Sequence, residues 1–307
     1  MAFDIPILFV IFNRPDTTEQ VFQEIRKQQP KYLYVAADGP RLNRPDDIEK
    51  CQLTRSIIDQ IDWACELKTL FRDENLGCGK AVSGAITWFF DQVEMGIVLE
   101  DDCLPHPDFF PYCKDLLLKY KDVDQIKWIS GNNCNIKSSK TDSSYYFSAY
   151  NHVWGWASWK RVWNDYHFEV ADFKKKLVYK KIDQYFFTLS ERLFWKNRYE
   201  IIAHKKVREK RKINTWDYQA TFSIWIKDGI SIIPQSNLIT NIGFGIDSTH
   251  SFKNNLYFKT DSILPIRHNE KFNIDHEADL LFYKNIIYKP LWKYPLLWIK
   301  TWMEKLI

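Results

Sequence analysis

The chain opens on a continuous apolar run over residues 5–12, the pattern of a strand buried on both faces of a parallel sheet. The polar turn Asn13-Arg14-Pro15-Asp16-Thr17 follows, with the chemistry that starts a helix, here through Lys27. The alternation then repeats. A strand over 32–37 ends in the loop Asp38-Gly39-Pro40, a charged helix covers 46–61, and a short strand covers 65–71. Asn75-Leu76-Gly77-Cys78-Gly79-Lys80 leads into a helix over 81–93, and Gly96-Ile97-Val98-Leu99 runs as a strand into Glu100. Strand–helix repetition with short connections predicts an α/β fold on an open, doubly wound, mostly parallel sheet. In such sheets ligands lie at the carboxyl ends of strands, where Asp38 and Glu100 to Asp102 both fall.

Past residue 128 the pattern loosens. Strands are expected over 128–133, 145–148 and 229–234, helices over 172–200 and 215–227, and an aromatic-rich stretch over 154–163. No internal repeat, low-complexity tract or linker is visible, so the second half is expected to pack on the first.

Composition changes this picture only in places. The 307 residues suffice for one large domain or two closely packed ones, and 45% hydrophobic with 27% charged residues is ordinary for a globular protein. The aromatic share, 16% with 13 Trp, stands out. It serves either to fill a core or to stack sugar rings. A net charge of +4 is too small to indicate nucleic acid, and the basic runs at 174–176, 180–181 and 205–212 read as solvated helix faces. The six cysteines show no paired C-x-x-C spacing, which argues against zinc and a disulfide framework. With no signal peptide and no apolar run of roughly 20 residues, a reducing cytoplasm is the expected location. Residues 286–307 set Trp292, Trp298 and Trp302 among lysines, broken by Pro290 and Pro295. That composition suits either peripheral attachment to an anionic membrane surface, on its cytoplasmic face, or a helix docked on the core.

Glu100-Asp101-Asp102 carries the clearest chemistry. Adjacent carboxylates at a strand end repel one another unless solvated or paired with a cation, and alternation puts Glu100 and Asp102 on one side. Hard cations, Mn²⁺ or Mg²⁺, favour such oxygens and complete their shells with phosphate and water. The alternative is an acidic turn before a helix near Asp108.

The run 97–110, with Glu100-Asp101-Asp102 followed by Pro107-Asp108-Phe109-Phe110, resembles the acidic motif of the GT-A-fold glycosyltransferases, in particular the N-acetylglucosaminyltransferase I branch. Further segments agree in order. Phe12-Asn13-Arg14-Pro15 is similar to that family's first strand-to-helix turn, where an Arg holds the nucleotide, and Ala37-Asp38-Gly39 to the turn whose Asp reads the base. Residues 75–80 resemble the segment before the sugar-nucleotide helix, and Trp154-Gly155-Trp156 and Trp216-Asp217 resemble acceptor-side elements, the latter including the catalytic base. The resemblance covers roughly 5–250 and implies an inverting transfer from a nucleoside diphosphate sugar, with UDP expected, to a glycan hydroxyl, the acceptor being lipid-linked if the tail meets a membrane. It departs at Tyr218, where the branch has a second acid, at Lys80, and in lacking a membrane-spanning stem.

On this reading residues 1–128 form the donor half, 129–265 the acceptor and catalytic half, and 266–307 a basic, aromatic tail. Arg14 and Lys80 offer cations to a diphosphate. Asp38 accepts from a base N–H, or serves turn chemistry in Asp38-Gly39-Pro40. Gly77 and Gly79 fit neither a dinucleotide fingerprint nor a P-loop, and read as allowing close backbone approach at a helix N-terminus. Asp217, between Trp216 and Tyr218, suits general-base work or complements a helix dipole. Asp165 and Asp247 are weaker candidates. His250 is expected at the metal or diphosphate, and His152 as structural or acceptor-facing. A nucleotidyltransferase and a non-catalytic glycan-binding module are the alternatives.

Overall fold

The computed structural model describes residues 3–138, 142–243, 258–288 and 290–306. Strands β1 (Ile7–Ile11), β2 (Tyr32–Ala37), β3 (Glu66–Phe71) and β4 (Met95–Glu100) lie where the apolar runs place them and pair in parallel, in the order β3-β2-β1-β4. Near-continuous burial of β1, β2 and β4 reflects helices packed on both faces. Between them run α1 (Pro15–Gln28), α2 (Asp46–Ser56) and α3 (Cys78–Phe90). Pro15 at the first helical position of α1 supplies the φ a helix needs where its missing N–H is harmless. Helix α3 starts three residues before the expected 81. Gly77, at φ +76°, makes the sharp entry there, in a region that costs other residues.

The second half adds β5 (Cys103–Pro105), α4 (Phe109–Lys119), β6 (Ile126–Ser130), β7 (Tyr145–Ser148), β8 (Trp156–Trp159) and α5 (Lys160–Trp163). Then come α6 (Lys175–Tyr185), α7 (Leu189–Ala203), α8 (Lys205–Lys210), α9 (Asp217–Ile226), β9 (Ile230–Pro234), β10 (Ile239–Asn241), α10 (His276–Phe282) and α11 (Lys293–Leu306). All but β5 and β10 join one eight-stranded sheet, ordered β3-β2-β1-β4-β8-β6-β9-β7. Strands β3, β2, β1, β4, β6 and β9 point one way, and β8 and β7 run against them. This is a mostly parallel, Rossmann-like α/β sheet. Strand β6 crosses the expected donor–acceptor boundary at 128, so both halves share one sheet.

Two expectations change. The single helix over 172–200 is two, broken at Phe186 to Thr188. Thr188 restarts the chain as an N-cap: the Glu191 N–H donates to its Oγ1 at 3.3 Å, and its hydroxyl donates to the Glu191 carboxylate at 2.5 Å. The aromatic stretch 154–163 contains a central strand, β8, whose four residues are all buried.

Strand β8 also brings the indoles together. Trp156 stacks on Trp128 of β6 at 3.8 Å between ring centres and stands 5.8 Å from Trp216 and 6.3 Å from Trp163. The Trp163 indole donates to Thr87 Oγ1 on α3 at 2.9 Å, so the cluster ties the donor side to the start of α9. Helix α11 packs on α7 and α8, which makes the inner face of the tail a docked helix.

Candidate active site

The carboxyl ends of β1, β2 and β4 meet one another, and the chain entering α9 meets them from the second half. Asp101 turns inward, where Oδ2 accepts the Phe12 N–H at 3.0 Å. Asp102 meets Arg14 beside it: Oδ2 accepts from Arg14 Nη1 at 2.8 Å, with Asp101 Oδ1 3.8 Å from the same nitrogen. Arg14 therefore serves two carboxylates, held there because β1 and β4 are adjacent and in register. Glu100 makes no hydrogen bond or ion pair among the described residues. Burial first, then the charges of Asp102, Asp101 and Asp217, push its proton affinity well above the usual carboxylate range. Burial and Asp102 push Asp101 up as well, against the pull of Arg14 and the Phe12 N–H.

The first turn of α3 is built around Asp38. Its carboxylate accepts the Leu76 N–H at 3.0 Å and the Gly77 N–H at 3.0 Å, and Asn75 Nδ2 donates to the Gly39 carbonyl at 2.8 Å. Asp38 in this arrangement ties the 76–77 turn to the end of β2, the turn-chemistry alternative. Gly39 is required by the same contact: a Cβ there would lie 2.4 Å from the Glu74 backbone. What Gly77 and Gly79 admit is the protein's own chain. Asn214 Oδ1 accepts the Gly79 N–H at 2.8 Å, and a Cβ on either glycine would collide with Asn214. No local pattern pointed to Asn214, 135 residues beyond Gly79. Its effect is to bring Asp217 to the carboxylate cluster.

Asp217 is the first residue of α9. Its Oδ1 accepts from the Thr215 hydroxyl and from the Tyr218 N–H at 2.9 Å, while Oδ2 takes no hydrogen bond among the described residues. Lys80 is exposed at the start of α3, with no ion pair among the described residues.

Trp216 and Trp156 do not face an acceptor. They are 3% and 0% exposed, within the indole cluster, and cannot offer a ring to a sugar. Their burial holds the start of α9 in place. Trp154 is half-buried beside Phe258, with ring centres 6.1 Å apart. His152 is structural: its Nδ1 bonds the Asn132 carbonyl at 2.8 Å, and burial holds it down at about pH 4. Asp165 pairs with Lys227 at 2.7 Å. His250 and Asp247 lie outside the described residues.

Two residues close the site in ways no motif announced. Asp47, fully buried, is drawn down to about 2 chiefly by its bonds from Arg41, with help from Asn13 Nδ2 at 2.7 Å. This joins the β1–α1 and β2–α2 loops. Gly243, leaving β10, passes over Asp102 so closely that a Cβ would lie 2.3 Å from Asp102 Oδ2 and 2.9 Å from Arg14 Nη1.

Among the described residues no group of three or more His, Cys, Asp or Glu side chains is arranged to hold a metal ion. The residues present fit an open site: Asp102 and Glu100 supply hard oxygens at the end of β4, with Arg14 the one basic partner of Asp101 and Asp102 among the described residues. A divalent cation suits such a surplus of negative charge, with ligand oxygens and water completing its shell.

No family model matches the chain, and no curated protein matches it. Solved structures of similar outline include a UDP-glucose pyrophosphorylase complexed with UDP-glucose, at 10% identity over 78% of this chain and 93% of that one, TM-score 0.39. Another is HddC from Yersinia pseudotuberculosis, at 13% identity over 53% and 80%, TM-score 0.34. A third is a 4-diphosphocytidyl-2C-methyl-D-erythritolsynthase from Anaerococcus prevotii, at 10% over 68% and 84%, TM-score 0.32. Likeness of that degree carries no argument about chemistry.

Proposed function

We propose that this protein is an inverting glycosyltransferase, moving a sugar from a nucleoside diphosphate donor, with UDP the expected nucleotide, to a hydroxyl of a glycan. The observation that carries the reading is the convergence of Arg14, Glu100, Asp102 and Asp217 at the carboxyl ends of adjacent parallel strands, the crevice where such sheets bind ligands. Arg14 and Lys80 would hold the diphosphate, with Arg14 leaving Asp102 for the phosphate oxygens. Asp102, with Glu100 behind it, would hold Mn²⁺ or Mg²⁺, which supplies charge neutralisation at the departing diphosphate when bound. Asp217 Oδ2 takes the proton of the acceptor hydroxyl as its oxygen attacks the anomeric carbon from the face opposite the leaving group. The likeness of 97–110 to the N-acetylglucosaminyltransferase I branch is part of the same reading, as is a place on the cytoplasmic side of a membrane.

Nucleotidyl transfer would also use carboxylates on this sheet. The two reactions differ in what leaves, a nucleoside diphosphate or pyrophosphate, and that difference separates them. The test is to supply Mn²⁺ with UDP-sugars and glycan acceptors in one assay, and UTP with sugar 1-phosphates in another. Release of UDP on transfer is expected. Release of pyrophosphate in the second assay alone would overturn the reading.

A further inference from the structure

Helix α11 is attached to the protein the wrong way round for a core helix. Its inner face sets polar contacts beside apolar ones: Leu297 and Trp298 pack on the core, Thr301 and Glu304 are buried, Arg211 Nε bonds Glu304 at 2.7 Å and its Nη2 bonds Thr301 Oγ1 at 3.0 Å, and Lys305 pairs with Glu200. Tyr294 completes that face, its hydroxyl 2.8 Å from that of Tyr283. The outer face is apolar. Leu296 is 61% exposed, Ile299 54%, Trp302 62% and Met303 50%, one stripe at helical spacing, and Trp292 and Leu291 extend it ahead of the helix. Exposed Lys293 and Lys300 flank the stripe, and α8, packed beside α11, adds exposed Lys205, Lys206 and Lys210.

We propose that the outer face of α11 is a docking surface for an anionic lipid bilayer, on which the helix lies flat. A contiguous apolar stripe of this size on a soluble face signals an interaction site. The charge around it selects the occupant. Indoles favour the headgroup depth, and lysines beside them meet anionic lipid. A second copy of the chain would instead bring Lys293 and Lys300 against their own counterparts in a two-fold contact. The helix cannot span: no helix among the described residues is long and apolar enough to cross a membrane. Helix α7, on which α11 packs, also reaches the site: its Arg198 stacks on the Tyr218 ring at 4.7 Å, next to Asp217. The surface itself does not depend on the transferase reading.

The experiment is co-sedimentation of the full chain with phosphatidylcholine vesicles, with and without phosphatidylglycerol, at low and high salt. Binding is expected only with phosphatidylglycerol, weakened by salt. The triple variant Leu296→Ser, Ile299→Ser, Trp302→Ser alters only outward side chains and should bind roughly tenfold or more weakly while keeping the wild-type unfolding transition. Lys293→Glu with Lys300→Glu should abolish binding to phosphatidylglycerol vesicles. Wild-type protein that ignores anionic vesicles at low salt overturns the proposal. So does a triple variant that binds like wild type, or one that turns a wild-type dimer into a monomer without changing vesicle binding.

Discussion

Asp217 commits Oδ1 to its own helix and keeps Oδ2 for a proton, so its role can be tested without disturbing the cap. Asp217→Asn keeps the shape and removes the basicity. Turnover should fall roughly 100-fold or more with nucleotide affinity unchanged, as read from steady-state kinetics beside nucleotide titration. Near-normal turnover would move the base elsewhere. Asp38 gives the opposite kind of prediction, since its carboxylate satisfies the N–H groups of Leu76 and Gly77. Asp38→Ala strands both donors and should cost about 1–3 kcal/mol in urea unfolding. Loss of nucleotide binding with stability intact would show instead that Asp38 faces the ligand.

At the scale of elements, α9 is positioned by Trp216 and α10 by Asp279. Trp216→Ala opens the indole cluster and should cost about 3–5 kcal/mol, whereas Trp154→Ala, at a half-buried position, should cost clearly less. Asp279 of α10 accepts from the Ser148 hydroxyl and from the Ala149 N–H at 2.9 Å, docking α10 against the end of β7. Burial pushes its carboxyl up to about 8 from 3.8, against those two hydrogen bonds. Between these values the folded protein keeps a proton that the unfolded chain releases. The unfolded state binds fewer protons there, so this group's contribution to stability declines as pH rises from about 4 to about 8. Asp279→Asn should therefore raise the melting temperature relative to wild type at pH 8, with the difference closing towards pH 4. His152 acts in the reverse sense: held neutral by burial down to about 4, it withdraws stability as pH falls from 6.5. Thermal melts of wild type and Asp279→Asn across this range separate the two, because His152 is common to both.

For the whole molecule, a nucleotide bound across β1, β4 and α3 should stabilise the fold as a unit. At a ligand concentration about 100-fold above Kd the gain is about 2.7 kcal/mol, and for a domain of this size about 2–4 °C of melting temperature accompanies each kcal/mol. UDP with Mn²⁺ should therefore raise Tm by several degrees. Asp102→Ala should lose the Mn²⁺-dependent part of that rise while its ligand-free transition remains cooperative. An undiminished Mn²⁺-dependent rise in that variant would remove Asp102 from the metal.

The parallel first half was legible in the sequence because β1, β2 and β4 are buried on both faces, and an unbroken apolar run records that burial locally, while β3, at the sheet edge, is largely exposed. Glu100 to Asp102 was legible for the same reason: the run ends on them. The second half was not. The Trp-rich segment of β8 is central only because β4 and β6 accept it from either side, a long-range pairing that leaves no local period. That pairing decided that Trp156 and Trp216 are core and not sugar platforms, since an indole's exposure depends on what packs against it. Contact between distant segments likewise decided that Gly77 and Gly79 receive Asn214, and that Gly243 closes over Asp102. The tail shows the division most directly. Its apolar and basic composition was written in the chain, but which face would meet the protein depended on Arg211 and Glu200, whose partners on α11 exist only in the folded state.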